Sequence, residues 1–94
     1  MIFIRREYIT YPPDSPIKIT YANIKEYPIH WHNSIQILYV LRGSINVNVD
    51  TDSFEVLEKE MEIINVDEAH RVYSDVDNRV LIFQIDPSFF EKYY

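Results

Sequence analysis

Two stretches set the reading of this chain. Ile35-Gln36-Ile37-Leu38-Tyr39-Val40-Leu41 is a near-continuous run of branched and aromatic residues, whereas Ile45-Asn46-Val47-Asn48-Val49-Asp50 alternates strictly between apolar and polar. The first suits a strand covered on both faces, the second a strand with one buried face and its Asn residues in water. Gly43, the only glycine, lies between them and predicts a positive-φ turn joining the two as a hairpin. Asp50-Thr51-Asp52-Ser53 and Asp75-Val76-Asp77-Asn78 read as further turns. Ile17–Tyr21, Phe54–Leu57, Met61–Asn65 and Val80–Ile85 supply the other strands. Short strands at this spacing belong to an all-β sandwich or barrel.

The two ends break the pattern. Tyr11-Pro12-Pro13-Asp14-Ser15-Pro16 cannot form a central strand, so residues 1–16 are expected to be an N-terminal arm or edge. Asp86-Pro87 is a helix start, with Asp as the cap and Pro at the first helical position. Phe89 with Tyr93 and Phe90 with Tyr94 then fall four apart on adjoining faces. The expected division is an arm (1–16), a β domain (17–86) and the start of a C-terminal helix (87–94). About two helical turns cannot stand alone, and the expectation is a fragment of a longer protein. Ile35, Ile37, Tyr39 and Leu41 would face away from the interior and need cover from the arm, the helix or a second copy, so a homodimer is expected.

Composition narrows the function. A chain of 94 residues with eight Tyr, five Phe and one Trp is a single globular domain. The net charge of −6 argues against direct nucleic-acid binding, which calls for clustered Lys and Arg. Absence of cysteine excludes disulfides and thiolate chemistry and fits a reducing compartment. No apolar run reaches membrane-spanning length and Met1-Ile2-Phe3-Ile4-Arg5-Arg6 lacks a signal-peptide core, so the cytoplasm is the expected location.

The candidate chemistry rests on the only three histidines, His30, His32 and His70. His30 and His32 share one face of an extended strand, and Gln36 keeps that parity if the strand runs on. With His70 behind Met61–Asn65, the four are expected to converge on one interior spot. Parity turns Trp31 and Tyr39 away from it, while Tyr21, Tyr27 and Tyr73 are candidates for its wall. Glu58, Glu60, Glu62, Asp67 and Glu68 read as a solvated edge and loop.

His30-x-His32-x3-Gln36-x6-Gly43 resembles the first cupin motif, with Gln36 at the usual Glu. Lys59 through His70 is similar in length and apolar pattern to the second motif. It keeps the His and has Lys59, Asn65 and Asp67 where Gly, Pro and Gly are usual. The longer run Tyr27–Gly43, together with Asp86-Pro87-Ser88-Phe89-Phe90, resembles the N-terminal cupin-like domain of AraC-family transcription regulators over residues 20–94. That resemblance implies a small antiparallel, jelly-roll-like β-barrel that binds an effector such as a sugar or related metabolite. It also implies dimerisation, and DNA contact only through a C-terminal domain absent from this sequence. By the same resemblance His30, His32, Gln36 and His70 either hydrogen-bond the effector or hold a divalent Zn, Ni, Fe or Mn ion. Gln36 removes the ligand charge that would offset a cation and removes a general base. A sensor is therefore expected rather than an enzyme, with a stand-alone metal-dependent cupin dioxygenase or isomerase as the alternative. A ligand-free dimerisation module is the third reading.

Overall fold

The structure, a computed structural model, describes residues 5–7, 15–32, 34–65 and 68–89, with the backbone alone at 5–7 and 27–32. Nine strands lie among the described residues: β1 (Arg5–Glu7), β2 (Ile17–Ala22), β3 (Glu26–His32), β4 (Ile35–Arg42), β5 (Ile45–Val49), β6 (Asp52–Val56), β7 (Met61–Ile64), β8 (His70–Tyr73) and β9 (Arg79–Ile85). They form a five-stranded sheet in the order β1-β3-β8-β5-β6 and a four-stranded sheet in the order β2-β9-β4-β7. The pairings are antiparallel except where β1 runs parallel to β3. Consecutive strands mostly change sheets, the jelly-roll-like arrangement expected of a cupin-type domain.

The core lies between the sheets. Leu38, Val40, Ile64, Val80 and Ile82 come from the four-stranded sheet, Ile45, Val47, Val56 and Val72 from the other, and Ile24 from the β2–β3 connection. Each set occupies alternate positions of its strand, as a period of two requires.

Two sequence expectations need correction. Gly43 has φ 78° as expected, but β4 and β5 do not form a hairpin: β4 lies between β9 and β7, and β5 between β8 and β6. The turn crosses from one sheet to the other and passes close to its neighbour, for a Cβ at Gly43 would overlap the backbone oxygen of Asp77. Nor does the strand carrying His30 and His32 run on to Gln36. It ends at His32, and Ile35 begins a strand in the opposite sheet beyond the fully buried Ser34.

One end of the molecule is closed by saturated polar contacts. The fully buried Asn78 accepts a hydrogen bond from the Ile24 amide at 2.9 Å and donates to the Ile24 carbonyl at 2.8 Å and that of Val76 at 3.0 Å. Ser74 donates to the Ser44 carbonyl at 2.7 Å, and its own amide donates to Lys25 at 2.9 Å. In the turn before β7, the Lys59 amide donates to Val40 at 2.6 Å and the Glu60 carboxylate accepts from the Leu57 amide at 2.8 Å. These contacts tie together the connections that follow β2, β4 and β8, and fasten the one after β6 to strand β4.

At Asp86-Pro87, where the C-terminal helix is expected, the chain makes a turn. The Asp86 carboxylate accepts from the Ser88 amide and the Asp86 carbonyl from the Phe89 amide, each at 3.0 Å. The Asp86 amide donates to Pro16 at 2.8 Å. Residues 90–94, most of the expected arm, and Asp67 lie outside the described residues. No helix among those described is long and apolar enough to cross a membrane.

Candidate functional site

The end opposite the closed one gathers the candidate residues. Strand β3 ends there at His32, and β4 begins three residues further on. Gln36, the second residue of β4, faces inward and is 6% exposed. His70 opens β8 on the inner face of the other sheet and is 1% exposed. His30 is the Cα partner of His70, and His32 stands opposite Glu7 of β1. The side chains of both lie outside the described ones, so the expected four-residue convergence is described for Gln36 and His70.

The His30–His70 pairing depends on a local irregularity. Between Tyr27 opposite Val72 and His30 opposite His70, β3 spends one residue more than β8. Pro28 lies in that interval, and lacking an N–H it cannot serve a regular ladder. The bulge thus sets the register at which the two histidine positions meet.

The tautomer of His70 follows from its partner. Its Nδ1 lies 3.0 Å from the Glu68 carbonyl, which can only accept, so Nδ1 carries the proton. In the neutral ring Nε2 therefore holds the lone pair, as in a histidine positioned to accept from a ligand or to bind a metal. The loop behind it is braced by the Glu68 carboxylate, which accepts from the Asn65 amide at 2.8 Å.

Two residues not singled out from the sequence complete this end. Lys18, Gln84, Gln36 and Ile64 are successive Cα partners across β2, β9, β4 and β7. Directly paired residues share a face, so Lys18 and Gln84 join Gln36 on the inner side. Gln84 is 8% exposed, and among the described residues nothing hydrogen-bonds its carboxamide. Lys18, half-buried at the sheet edge, has neither ion pair nor hydrogen bond to a described residue. At strand spacings of about 4.8 Å, the backbone from Lys18 to Gln36 spans about 10 Å, within reach of one small molecule.

A signal for Gln84 was present in the sequence: it is the one polar residue on the Val80/Ile82 parity of β9. For Lys18 the pattern misleads. Alternation in Ile17-Lys18-Ile19-Thr20-Tyr21 would put lysine in water and isoleucine in the core. Instead Ile19 and Tyr21 are 60% and 63% exposed.

Other candidates fall away. Tyr21 lies on the outer face of β2, and Tyr73, on the outer face of β8, carries the Arg71 guanidinium 4.3 Å from its ring centre. The side chains of Tyr27 and Trp31 lie outside the described ones. Tyr39 faces outward as expected, where with Ile37, Met61, Leu81 and Phe83 it lines a concavity of about 380 Å³ on the opposite face of the sheet. Glu60 and Glu68 brace their own loops. Among the described residues no three His, Asp or Glu side chains form a metal-holding group. The set of His70, Gln36 and Gln84 offers donors and acceptors but no carboxylate to balance a divalent cation, which suits an organic ligand better than a metal. Were an ion held here, His70 and the positions of His30 and His32 would supply its nitrogen ligands.

Comparison with known proteins agrees with this architecture. The family model for the AraC-like ligand binding domain matches residues 19–94. No curated protein matches the chain. Among solved structures, the Cnp3 cupin domain of Schizosaccharomyces pombe superposes with a TM-score of 0.75 at 13% identity, covering 89% of this chain and 66% of that one. A cupin-2 domain protein from Shewanella frigidimarina gives 0.71 at 13% identity, covering 79% and 74%. A conserved protein of unknown function (SPY1581) from Streptococcus pyogenes gives 0.70 at 17%, covering 78% and 67%. At these identities the structures share the fold.

Proposed function

The chain belongs to the family of AraC-like ligand-binding domains, and on that premise we propose that it is the effector-sensing domain of a cytoplasmic transcription regulator. DNA contact comes from a part of that regulator outside this sequence, in keeping with the net charge of −6. The observation that carries the reading is the inward-facing set of Gln36, Gln84 and His70, gathered at the end opposite the buried Asn78. A carboxamide reads hydroxyl and carbonyl groups through fixed donors and acceptors, and it neither abstracts protons nor balances a metal's charge. The domain therefore binds its small molecule and releases it unchanged.

The same reading includes a homodimer. The outer face of the four-stranded sheet carries two adjoining rows of Cα partners, Ile19-Phe83-Ile37-Ile63 and Tyr21-Leu81-Tyr39-Met61. Not one of the eight is charged, so two copies can meet there without burying an ion.

The function is tested by thermal-shift screening of this chain against neutral and acidic metabolites, followed by mass spectrometry of the recovered ligand. The expected result is a concentration-dependent rise in Tm, lost in Gln36→Ala and His70→Ala, with the ligand recovered intact. In the regulator, His32→Ala abolishes induction and leaves DNA binding in place. Recovery of a chemically altered ligand, or unchanged induction in the His32 variant, overturns the sensor reading.

A further inference from the structure

The position of Lys18 narrows the chemistry of the ligand. Its strand is reversed relative to the usual pattern: Ile19 and Tyr21 face out, while Lys18, Thr20 and Ala22 are the more covered residues. A lysine on the inward parity at a strand edge can keep its ammonium hydrated while directing it along the inner surface. Beside it in register lies Gln84, a residue 8% exposed whose carboxamide no described residue hydrogen-bonds. A carboxamide on the inner side that no described side chain or backbone group engages is open to a molecule from outside. Asn78 differs, a fully buried amide saturated by backbone groups.

We infer that the effector carries a carboxylate, which pairs with the Lys18 ammonium while the Gln84 and Gln36 carboxamides hydrogen-bond the oxygen atoms next to it. The inference rests on the reading of this end as the effector site. Cation, amide and amide follow one another along a single register row, the order in which a small hydroxy acid or sugar acid presents its charge and then its hydroxyls. One ammonium matches the single charge of a carboxylate. A phosphate, nearly dianionic, draws on guanidinium forks or helix N-termini, and the described residues of this row offer neither.

The test uses fragments small enough to enter whatever the natural effector is. Lactate, lactamide and inorganic phosphate are titrated into the chain at equal ionic strength, and the side-chain amide signals of Gln36 and Gln84 are followed by NMR. Lactate is expected to move both signals saturably and to bind about tenfold more tightly than lactamide. In Lys18→Gln that preference falls to near one, with signal dispersion and Tm retained because the residue lies at a half-exposed edge. Equal response to lactate and lactamide, unaltered in the variant, overturns the carboxylate while leaving a polar effector site standing. Preference for phosphate over lactate also overturns it. If none of the three moves either amide, the effector site at this end falls with the inference.

Discussion

Three buried amides lie among the described residues, and their surroundings differ. Asn78 is spent on backbone groups, whereas Gln36 and Gln84 lie side by side facing inward. A single sequence does not distinguish such amides, because what surrounds them is contributed by other strands. Gln36 and His70 are candidates from their spacing to the other histidines and to Gly43, while Lys18 and Gln84 become candidates through cross-strand register. Lys59 is informative in another way. It holds φ 67° at the position where the second cupin motif usually has glycine, a left-handed conformation costing a non-glycine residue about 1 kcal/mol. Lys59→Gly should raise Tm by about 5 °C, and Lys59→Ala, which keeps a Cβ, should give no such gain. A gain with both would place the effect elsewhere than in the backbone angle. Nearby, Arg79 bonds Asp77 at 2.9 Å and holds its carboxyl below the usual range, first by hydrogen bonding and then by charge. That contribution is present above the ordinary carboxylate pKa and disappears as pH falls through the lowered native one. Both groups are solvent-exposed, so added salt weakens the pair.

At the scale of elements, the sequence was most legible where strands were long and apolar. β4, β5, β7 and β9 fall within two residues of their expected limits. β8 was not anticipated, because His70-Arg71-Val72-Tyr73 offers a single aliphatic residue to the core. The break between β3 and β4 was likewise hidden, since parity alone cannot tell one continuous strand from two strands in facing sheets. Gly43 marks such a crossing rather than a hairpin. Gly43→Ala would force a Cβ onto the Asp77 carbonyl in a conformation unfavourable to any L side chain. The expected loss is about 3 kcal/mol, or on the order of 15 °C in Tm by calorimetry. A change within 2 °C, on the order of a few tenths of a kcal/mol, would mean that the crossing relaxes freely and that the closed end is not rigid.

For the whole molecule, the reversed alternation of β2 serves two surfaces at once. It brings a cation to the inner side and leaves Ile19 and Tyr21 on the outer one, beside Met61 and Ile63, which are 58% and 52% exposed. A contiguous apolar face of this kind marks an interaction surface. If its occupant is a second copy of the chain, sedimentation at tens of micromolar should report a dimer. Tyr21→Lys with Ile63→Lys should then yield a folded monomer of nearly unchanged Tm. A monomeric parent protein would remove the second copy as the occupant. On the proposed reading the two faces divide the labour of the fold, with recognition inside the sandwich and association outside it.

The hydrogen bond from Asp86 to Pro16 gives that division a direction. It fastens the entry to the first strand of the four-stranded sheet to the exit from the last, at the end where the candidate ligand groups lie. The opposite end is pinned by Asn78 and Gly43. On the proposed sensor reading, a molecule lodged between the sheets would spread them most at the Asp86–Pro16 clasp, and the chain entering and the chain leaving the sheet would feel it together.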